Sequence, residues 1–162
     1  MEVIFAPEDK KVNGPVIFLA GPIQGAEDWH KRAIEILKEK KKEINIASPR
    51  GDYTNIKFDY LPQVNWETKY LNLAAKEGVI IFWLAKEKTH DPERSYAQTS
   101  RFELAEWVTK FQSDKNINIV IGIEPGFSGE KYIRKRVGED SPEIEILSTL
   151  KETCEKAVSK IK

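Results

Sequence analysis

A glutamate that follows a buried apolar segment is the first candidate for chemistry in this sequence. Residues Val79–Leu84 form an unbroken apolar run, rich in β-branched and aromatic side chains, which is typical of a strand buried on both faces. The polar loop Lys86–Gln98 then leads to a predicted helix whose first turn carries Glu103. A helix N-terminus keeps a carboxylate ionised, and an ionised carboxylate beyond a parallel strand is a competent nucleophile toward an electrophilic carbon.

A purely structural explanation of Glu103 competes with the chemical one. Ser100 and Glu103 have the spacing of a capping box, in which the glutamate side chain bonds back to the backbone amide of the N-cap residue. From the local sequence alone the capping role is favoured over catalysis, and both interpretations remain open at this stage.

A second carboxylate and several aromatic rings accompany Glu103. Glu67 follows Trp66 near the start of another predicted helix, so it is either an exposed first-turn acid or a second catalytic carboxylate beside a wall for a planar ring. Trp83 ends the apolar strand, where its ring could stack on a base. Asp91 lies in the polar loop before Glu103 and is a further candidate acid, although such loops are usually solvated.

A glycine-bounded turn follows the first strong strand candidate. Glycines at both ends let a ligand approach the backbone closely. The segment is neither GxGxxG nor a P-loop, so it gives little support for a dinucleotide or triphosphate site. An ordinary strand-to-helix turn and a substrate-binding loop explain it equally well. Its candidate binding residues are Gly21, Pro22, Ile23 and Gln24.

The periodicity of apolar residues predicts alternating strands and helices. The strands are expected at Val16–Ala20, Ile44–Ala47, Val79–Leu84 and Ile117–Ile123, with Glu2–Phe5 as a weaker candidate for an edge strand. The helices are expected at Glu27–Lys40, Val64–Lys76, Ser100–Gln112, Lys131–Val137 and Ile144–Ile161. This alternation predicts a single α/β domain, with a parallel sheet and helices on both faces.

The predicted architecture places the candidate residues at one edge of the sheet. Ligands of open parallel sheets bind beyond the carboxyl ends of the strands. Three loops lie at that edge: Gly21–Gly25, Lys86–Gln98 and Glu124–Gly129. The longer loop Ser48–Pro62, which contains helix-breaking residues, is expected to roof the same edge.

The composition excludes several classes of function. Lysine plus arginine and aspartate plus glutamate both total 26, so the formal net charge is zero and neither a nucleic-acid nor a membrane surface is expected. The single Cys154 points to a reducing compartment, and only two histidines make a histidine-based zinc site improbable. The sequence has neither a secretory signal pattern nor an apolar stretch of ~20 residues, so a cytoplasmic protein is expected.

Several short motifs, taken in order, are similar to a known superfamily. The sequence resembles the nucleoside 2-deoxyribosyltransferase-like superfamily, and most closely its subgroup with LAGP, QxxWE, FW and TxxxE signatures. The likeness runs from about Val16 to the C-terminal helix. The motifs are Phe18-Leu-Ala-Gly-Pro22, Trp29, Gln63-x-x-Trp-Glu67, Ile81-Phe-Trp83, Thr99-Ser-Arg-Phe-Glu-Leu104 and Ile121-Gly122.

The resemblance implies both a fold and a reaction. It implies a flavodoxin-like (Rossmannoid) fold, a homo-oligomer, and cleavage of the N-glycosidic bond of a small-molecule nucleoside or nucleotide without a metal or organic cofactor. Glu103 matches the nucleophilic glutamate of the family, and the chemistry parallels that of retaining glycosidases. Either Glu67 or Asp91 would protonate or hold the leaving base. Gly21–Gln24 would contact the sugar, and the other substrate-binding candidates are Trp66, Tyr70, Trp83 and Thr99.

Departures from the family pattern leave the acceptor open. In the type transferases an aspartate precedes the central strand, and by spacing that position is Tyr70 here, so Glu67, one turn earlier, is the replacement. Those transferases also complete their site with a C-terminal asparagine from a neighbouring subunit, for which Lys160-Ile-Lys162 offers no counterpart. Water therefore competes with a second base as acceptor. The alternatives to this chemistry are a non-catalytic nucleotide-binding or signalling module and an NAD glycohydrolase-like enzyme.

Overall fold

A six-stranded parallel sheet forms the centre of the computed structural model, which describes residues 2–40, 43–51 and 59–161. The strand order is β1-β3-β2-β4-β5-β6, and every neighbouring pair is parallel. Without β1, this is the 2-1-3-4-5 order of flavodoxin-like folds. The strands are β1 Val3–Phe5, β2 Val16–Ala20, β3 Asn45–Ser48, β4 Val79–Leu84, β5 Ile119–Ile123 and β6 Ile146–Leu147.

Helices cover both faces of the sheet, which confirms the predicted α/β architecture. They are α1 Trp29–Lys40, α2 Tyr60–Glu77, α3 Gln98–Ser113, α4 Glu130–Asp140 and α5 Leu150–Lys160. Alternate side chains of β4 divide between two cores: Ile81 and Trp83 pack with α1 and α5, whereas Ile80 and Phe82 pack with α2, α3 and α4. The helices that carry Glu67 and Glu103 therefore lie on the same face.

Helix α2 begins earlier than predicted. The sequence analysis assigned Pro62 to a loop and started the helix at Val64, but α2 starts at Tyr60. Proline is tolerated in a first turn because its missing N–H would have had no partner within the helix. The first α2 amide bond is from Gln63 N–H to the Asp59 carbonyl at 3.3 Å. Residues 52–58 of the predicted roofing loop lie outside the described residues.

The end of the chain also differs from the prediction of one helix over Ile144–Ile161. Residues Ile146–Leu147 form β6 beside β5, and α5 starts only at Leu150. The helix is capped by Thr149, whose hydroxyl accepts the Glu152 N–H at 3.2 Å and donates to the Glu152 carboxylate at 2.7 Å. The Thr149 hydroxyl thus caps the helix and the Glu152 carboxylate bonds back to that hydroxyl, a variant of the capping box that the sequence analysis did not identify.

Candidate active site

The strand order creates a topological switch point between β2 and β4. The chain leaves β2 through α1 to reach β3 on one side, then returns through α2 to β4 on the other side. The loops beyond these two strands diverge, and ligands of such sheets bind in the resulting crevice. Helix α2 packs against β2 and β4, and α3 packs against β5, so the two helices flank this crevice.

The turn after β2 needs glycine at its first position. Gly21 has φ of +153°, and a Cβ there would lie 2.2 Å from the Trp83 carbonyl oxygen and 2.8 Å from the Trp29 ring. The Trp29 indole N–H donates to the Pro22 carbonyl at 2.8 Å, which fixes the next residue of the turn. The turn is therefore held against the end of β4, beside the crevice.

The rest of the turn is tied to the loop that follows β4. The Gly25 carbonyl accepts the amides of Lys88 at 2.7 Å and Thr89 at 3.1 Å. Between these anchors, Ile23 is half-buried and Gln24 is exposed. Backbone bonds thus make the Gly21–Gly25 turn and the 86–89 segment one unit at the switch point.

We expect Gly21→Ala to destabilise the protein by about 2 kcal/mol or more, because the new methyl group overlaps the Trp83 carbonyl. Urea unfolding would measure the loss. Gly138→Ala is the matched control: this exposed residue of α4 has no atom within 4 Å of the position that its new methyl group would take, so the change should stabilise α4 by up to about 1 kcal/mol. Equal stability of the two variants would contradict the crowding at Gly21.

Glu103 does not belong to a capping box. Helix α3 starts at Gln98, and its N-cap residue is Ala97, in the left-handed conformation with φ of +56° and without a side-chain cap. Ser100 is therefore inside the helix and buried, and Glu103 lies in the second turn rather than the first. The capping prediction is wrong because the helix begins before the residue that the motif would make its N-cap.

Burial, not the helix dipole, dominates the ionisation of Glu103. Burial, followed by the charges of Glu67 and Glu106, raises the pKa of Glu103 to about 8. The expectation that the helix N-terminus keeps this carboxylate ionised is therefore wrong. A pKa of about 8 favours the protonated form of Glu103 at neutral pH.

This protonation predicts a pH dependence of stability. Because the folded-state pKa of Glu103 is about 8, above the ordinary glutamate value of 4.5, the folded protein binds this proton more tightly than the unfolded chain. The unfolding free energy should fall as pH rises from 4.5 to about 8, by on the order of 3–5 kcal/mol in total. Glu103→Gln should remove this part of the decrease. Urea unfolding of both proteins at pH 5, 7 and 9 tests this, and parallel curves would contradict it.

Glu67 is the more acidic member of a carboxyl pair. It is half-buried in the second turn of α2, and its carboxylate accepts a hydrogen bond from the Gln63 side-chain amide at 2.7 Å. Burial raises the pKa of Glu67, while the bond from Gln63 acts in the opposite direction. The charge of an ionised Glu67 raises the pKa of Glu103, so the two carboxyl groups titrate as a coupled pair in which Glu67 loses its proton first.

The pair has no positively charged partner among the described residues. No cationic side chain contributes to the pKa shift of either Glu67 or Glu103. The described part of the chain also contains no group of three or more His, Cys, Asp or Glu side chains suited to a metal ion, and no helix long and apolar enough to span a membrane. Two desolvated carboxyl groups without a counter-ion favour a ligand that becomes positively charged.

Two of the predicted substrate-binding rings lie in the core beneath α2. The Trp66 indole N–H donates to the Glu8 carbonyl at 2.7 Å, and the Tyr70 hydroxyl donates to the Lys10 carbonyl at 2.8 Å. The two rings are 4.6 Å apart, Trp66 is 4% exposed and Tyr70 is fully buried. Packing against the segment before β2 therefore explains both residues, whose rings belong to the core.

The remaining candidates do not lie together. Trp83 packs in the core cluster of α1 and α5, on the opposite face of the sheet from Glu67 and Glu103, so its ring does not face the carboxyl pair. Asp91 is exposed and accepts the Glu93 amide in a local turn at 3.0 Å. Thr99 is exposed in the first turn of α3.

Gln63 is a site residue that the sequence analysis quoted only as part of a motif. Its spacing of four residues from Glu67 places the two side chains on one face of a helix, where an amide can donate to a carboxylate. That spacing was available in the sequence, but the predicted start of the helix at Val64 placed Gln63 outside it.

Comparison with known protein families gives a match that covers the candidate site. A family model described as "Nucleoside 2-deoxyribosyltransferase like" matches residues 14–125, more than half of the chain. The matched range contains strands β2–β5, the glycine turn and both carboxyl groups of the pair. No curated protein matches the chain.

Proposed function

The chain belongs to the nucleoside 2-deoxyribosyltransferase-like family, and on that premise we propose that it cleaves or transfers at the N-glycosidic bond of a nucleoside or nucleotide. In this proposal Glu103 is the nucleophile and Glu67 handles the proton that the leaving base requires. The observation that carries the proposal is the half-buried carboxyl pair beside the switch point of the sheet, in which the charge of Glu67 raises the pKa of Glu103.

The electrostatics of the pair suit this class of reaction. Breaking a bond between a sugar and a base develops positive charge on the sugar, in an oxocarbenium-like transition state. Carboxylates in a desolvated site stabilise that charge more strongly than they would in water. Retaining chemistry needs one carboxylate and one carboxylic acid, and a coupled pair in which Glu67 ionises before Glu103 suits this combination.

In the proposed reaction each proton has a named donor and acceptor. Glu67 takes the proton of Glu103, directly or through a water molecule, and the Glu103 carboxylate forms a bond to C1′ as the bond to the base breaks. The electron pair of the broken bond goes to the base nitrogen, which takes the proton from Glu67. Water or a second base then attacks C1′, Glu67 accepts the proton that this acceptor loses, and Glu103 leaves as a carboxylate.

The same pair weighs against a non-catalytic nucleotide-binding module. Such a module needs cations or backbone amides directed at phosphate groups. An ionised carboxyl group of the pair repels an anion, and a binding function alone offers no reason to bury two such groups near one another. An NAD glycohydrolase-like reaction would use the nucleophile but not the proton of Glu67, because nicotinamide leaves as a neutral base.

A substrate panel tests the proposal. The protein is incubated with nucleosides, their 5′-monophosphates and NAD, each with and without an added acceptor base, and free base is measured by chromatography. A new nucleoside formed only with the acceptor indicates transfer, and free sugar indicates hydrolysis. A covalent sugar adduct on the intact protein, detected by mass spectrometry, is the expected intermediate. Absence of both base release and adduct across the panel would contradict the proposal.

Two broader expectations remain predictions beside this proposal. We propose a homo-oligomer, as the family resemblance implies, and a cytoplasmic location, as the single cysteine suggests. Light scattering of the purified protein tests the first expectation, and cell fractionation tests the second.

A further inference from the structure

The Gln63 side chain joins the end of β3 to the carboxyl pair. It is 7% exposed, and its amide nitrogen donates to the Pro49 carbonyl at 3.1 Å and to the Glu67 carboxylate at 2.7 Å. Both partners accept hydrogen bonds, so the amide nitrogen, and not the oxygen, must face them. Its two hydrogens therefore have assigned partners, and one of these is a candidate catalytic carboxylate.

The bond to Glu67 is of the kind that selects a protonation state. A neutral amide that donates to a carboxylate favours the ionised form of that group. Lysines near this part of α2 have other partners, since Lys69 pairs with Asp9, and Lys10 pairs with Glu2 and Glu8. The charged groups that act on the pair are its own carboxyls and Glu106. Within the described residues, Gln63 is the donor identified for Glu67.

We propose that Gln63 is a positioning residue that holds Glu67 as the ionised member of the carboxyl pair, ready to take the proton of Glu103. The inference rests on the proposed function, because it assigns a role within the same reaction. Gln63 acts through Glu67 rather than on the substrate. The hydrogen bond to the Pro49 carbonyl matters to this role, because it fixes the Gln63 side-chain amide against the end of β3 while the same amide donates to Glu67.

Gln63→Met tests the role, because methionine has a similar length and lacks both hydrogens. We expect the acid-side limb of the kcat/KM–pH profile to move to higher pH, so that activity at pH 5 relative to pH 7 falls roughly tenfold. The alkaline side should change little. A merely structural glutamine would lower activity equally at all pH values, and that result would overturn the proposal.

Gln112→Met is the matched control. Gln112 also donates through its side-chain nitrogen to a backbone carbonyl, that of Asp140 at 2.7 Å, but it is exposed at the far end of α3. Its replacement should leave the shape of the pH profile unchanged. An equal shift in this variant would show that the effect of Gln63→Met is not specific.

A measurement without turnover separates this inference from the proposed function. Carboxyl ¹³C NMR of the wild-type protein, with the Glu67 signal identified from Glu67→Gln, gives its titration directly. The signal should titrate at higher pH in Gln63→Met, and in the wild type the Gln63 side-chain amide signals should shift as Glu67 titrates. The wild-type experiment keeps the test intact if Gln63→Met does not fold. Gln63 side-chain amide signals that do not shift as Glu67 titrates would overturn the inference. The expected shifts in a protein without base release would instead contradict the proposed function alone.

Discussion

Glu103→Gln is expected to abolish base release while the protein stays folded. An amide cannot form the glycosyl ester, so turnover should fall roughly 10³-fold or more, whereas the change of one oxygen to nitrogen preserves the shape of the side chain. Single-turnover assays with the best substrate of the panel measure the loss, and circular dichroism reports the fold. Mass spectrometry should find no sugar adduct on the variant.

Glu106→Gln is the matched control for this change. Glu106 lies one turn further along α3, is exposed and pairs with Lys110 at 2.6 Å. Its replacement removes a charge from the same helix, so the rate should stay within about threefold of wild type. If Glu103→Gln released base as fast as Glu106→Gln, Glu103 would not be the nucleophile, and the likeness to the family would be one of fold alone.

The sequence predicted the sheet well because buried parallel strands leave a strong signal. Segments such as Val79–Leu84 are apolar on both faces, and no amphipathic helix has that pattern. Their alternation with helical segments then left one main architecture to consider. The two-residue strand Ile146–Leu147 was missed because so short a segment has no period of its own, and its side chains also fit the apolar stripe of the helix that follows.

Local signals near helix ends were less reliable. The same capping pattern occurs at Ser100–Glu103 and at Thr149–Glu152, but only the second pair caps a helix. The difference lies in the position where each helix begins, and packing against the sheet decides that position. A motif of four residues carries no such information.

The sequence named both members of the carboxyl pair but not their ionisation. Motif resemblance was sufficient to select Glu67 and Glu103. Which of them holds the proton depends on how deeply each is buried and on the amide of Gln63, and these are properties of the assembled fold. Helix position alone predicted an ionised Glu103, because the helix dipole was considered without the cost of desolvation.

Glu67→Gln is expected to slow the reaction most for leaving groups that must be protonated as they leave. Glutamine cannot give a proton to the base, so release of an ordinary purine or pyrimidine should fall roughly 10²–10⁴-fold. Burial still raises the pKa of Glu103 in this variant and Glu67 no longer takes its proton, so the comparison is made above pH 8, where Glu103 ionises without Glu67. At that pH a sugar bearing 4-nitrophenolate, which leaves without protonation, should react within about tenfold of the wild-type rate. Glu103→Gln should be inactive on both substrates. Equal losses on the two substrates in Glu67→Gln would show that Glu67 has some other role, and the donor of the proton would then have to be sought elsewhere, beginning with Asp91 in the loop after β4.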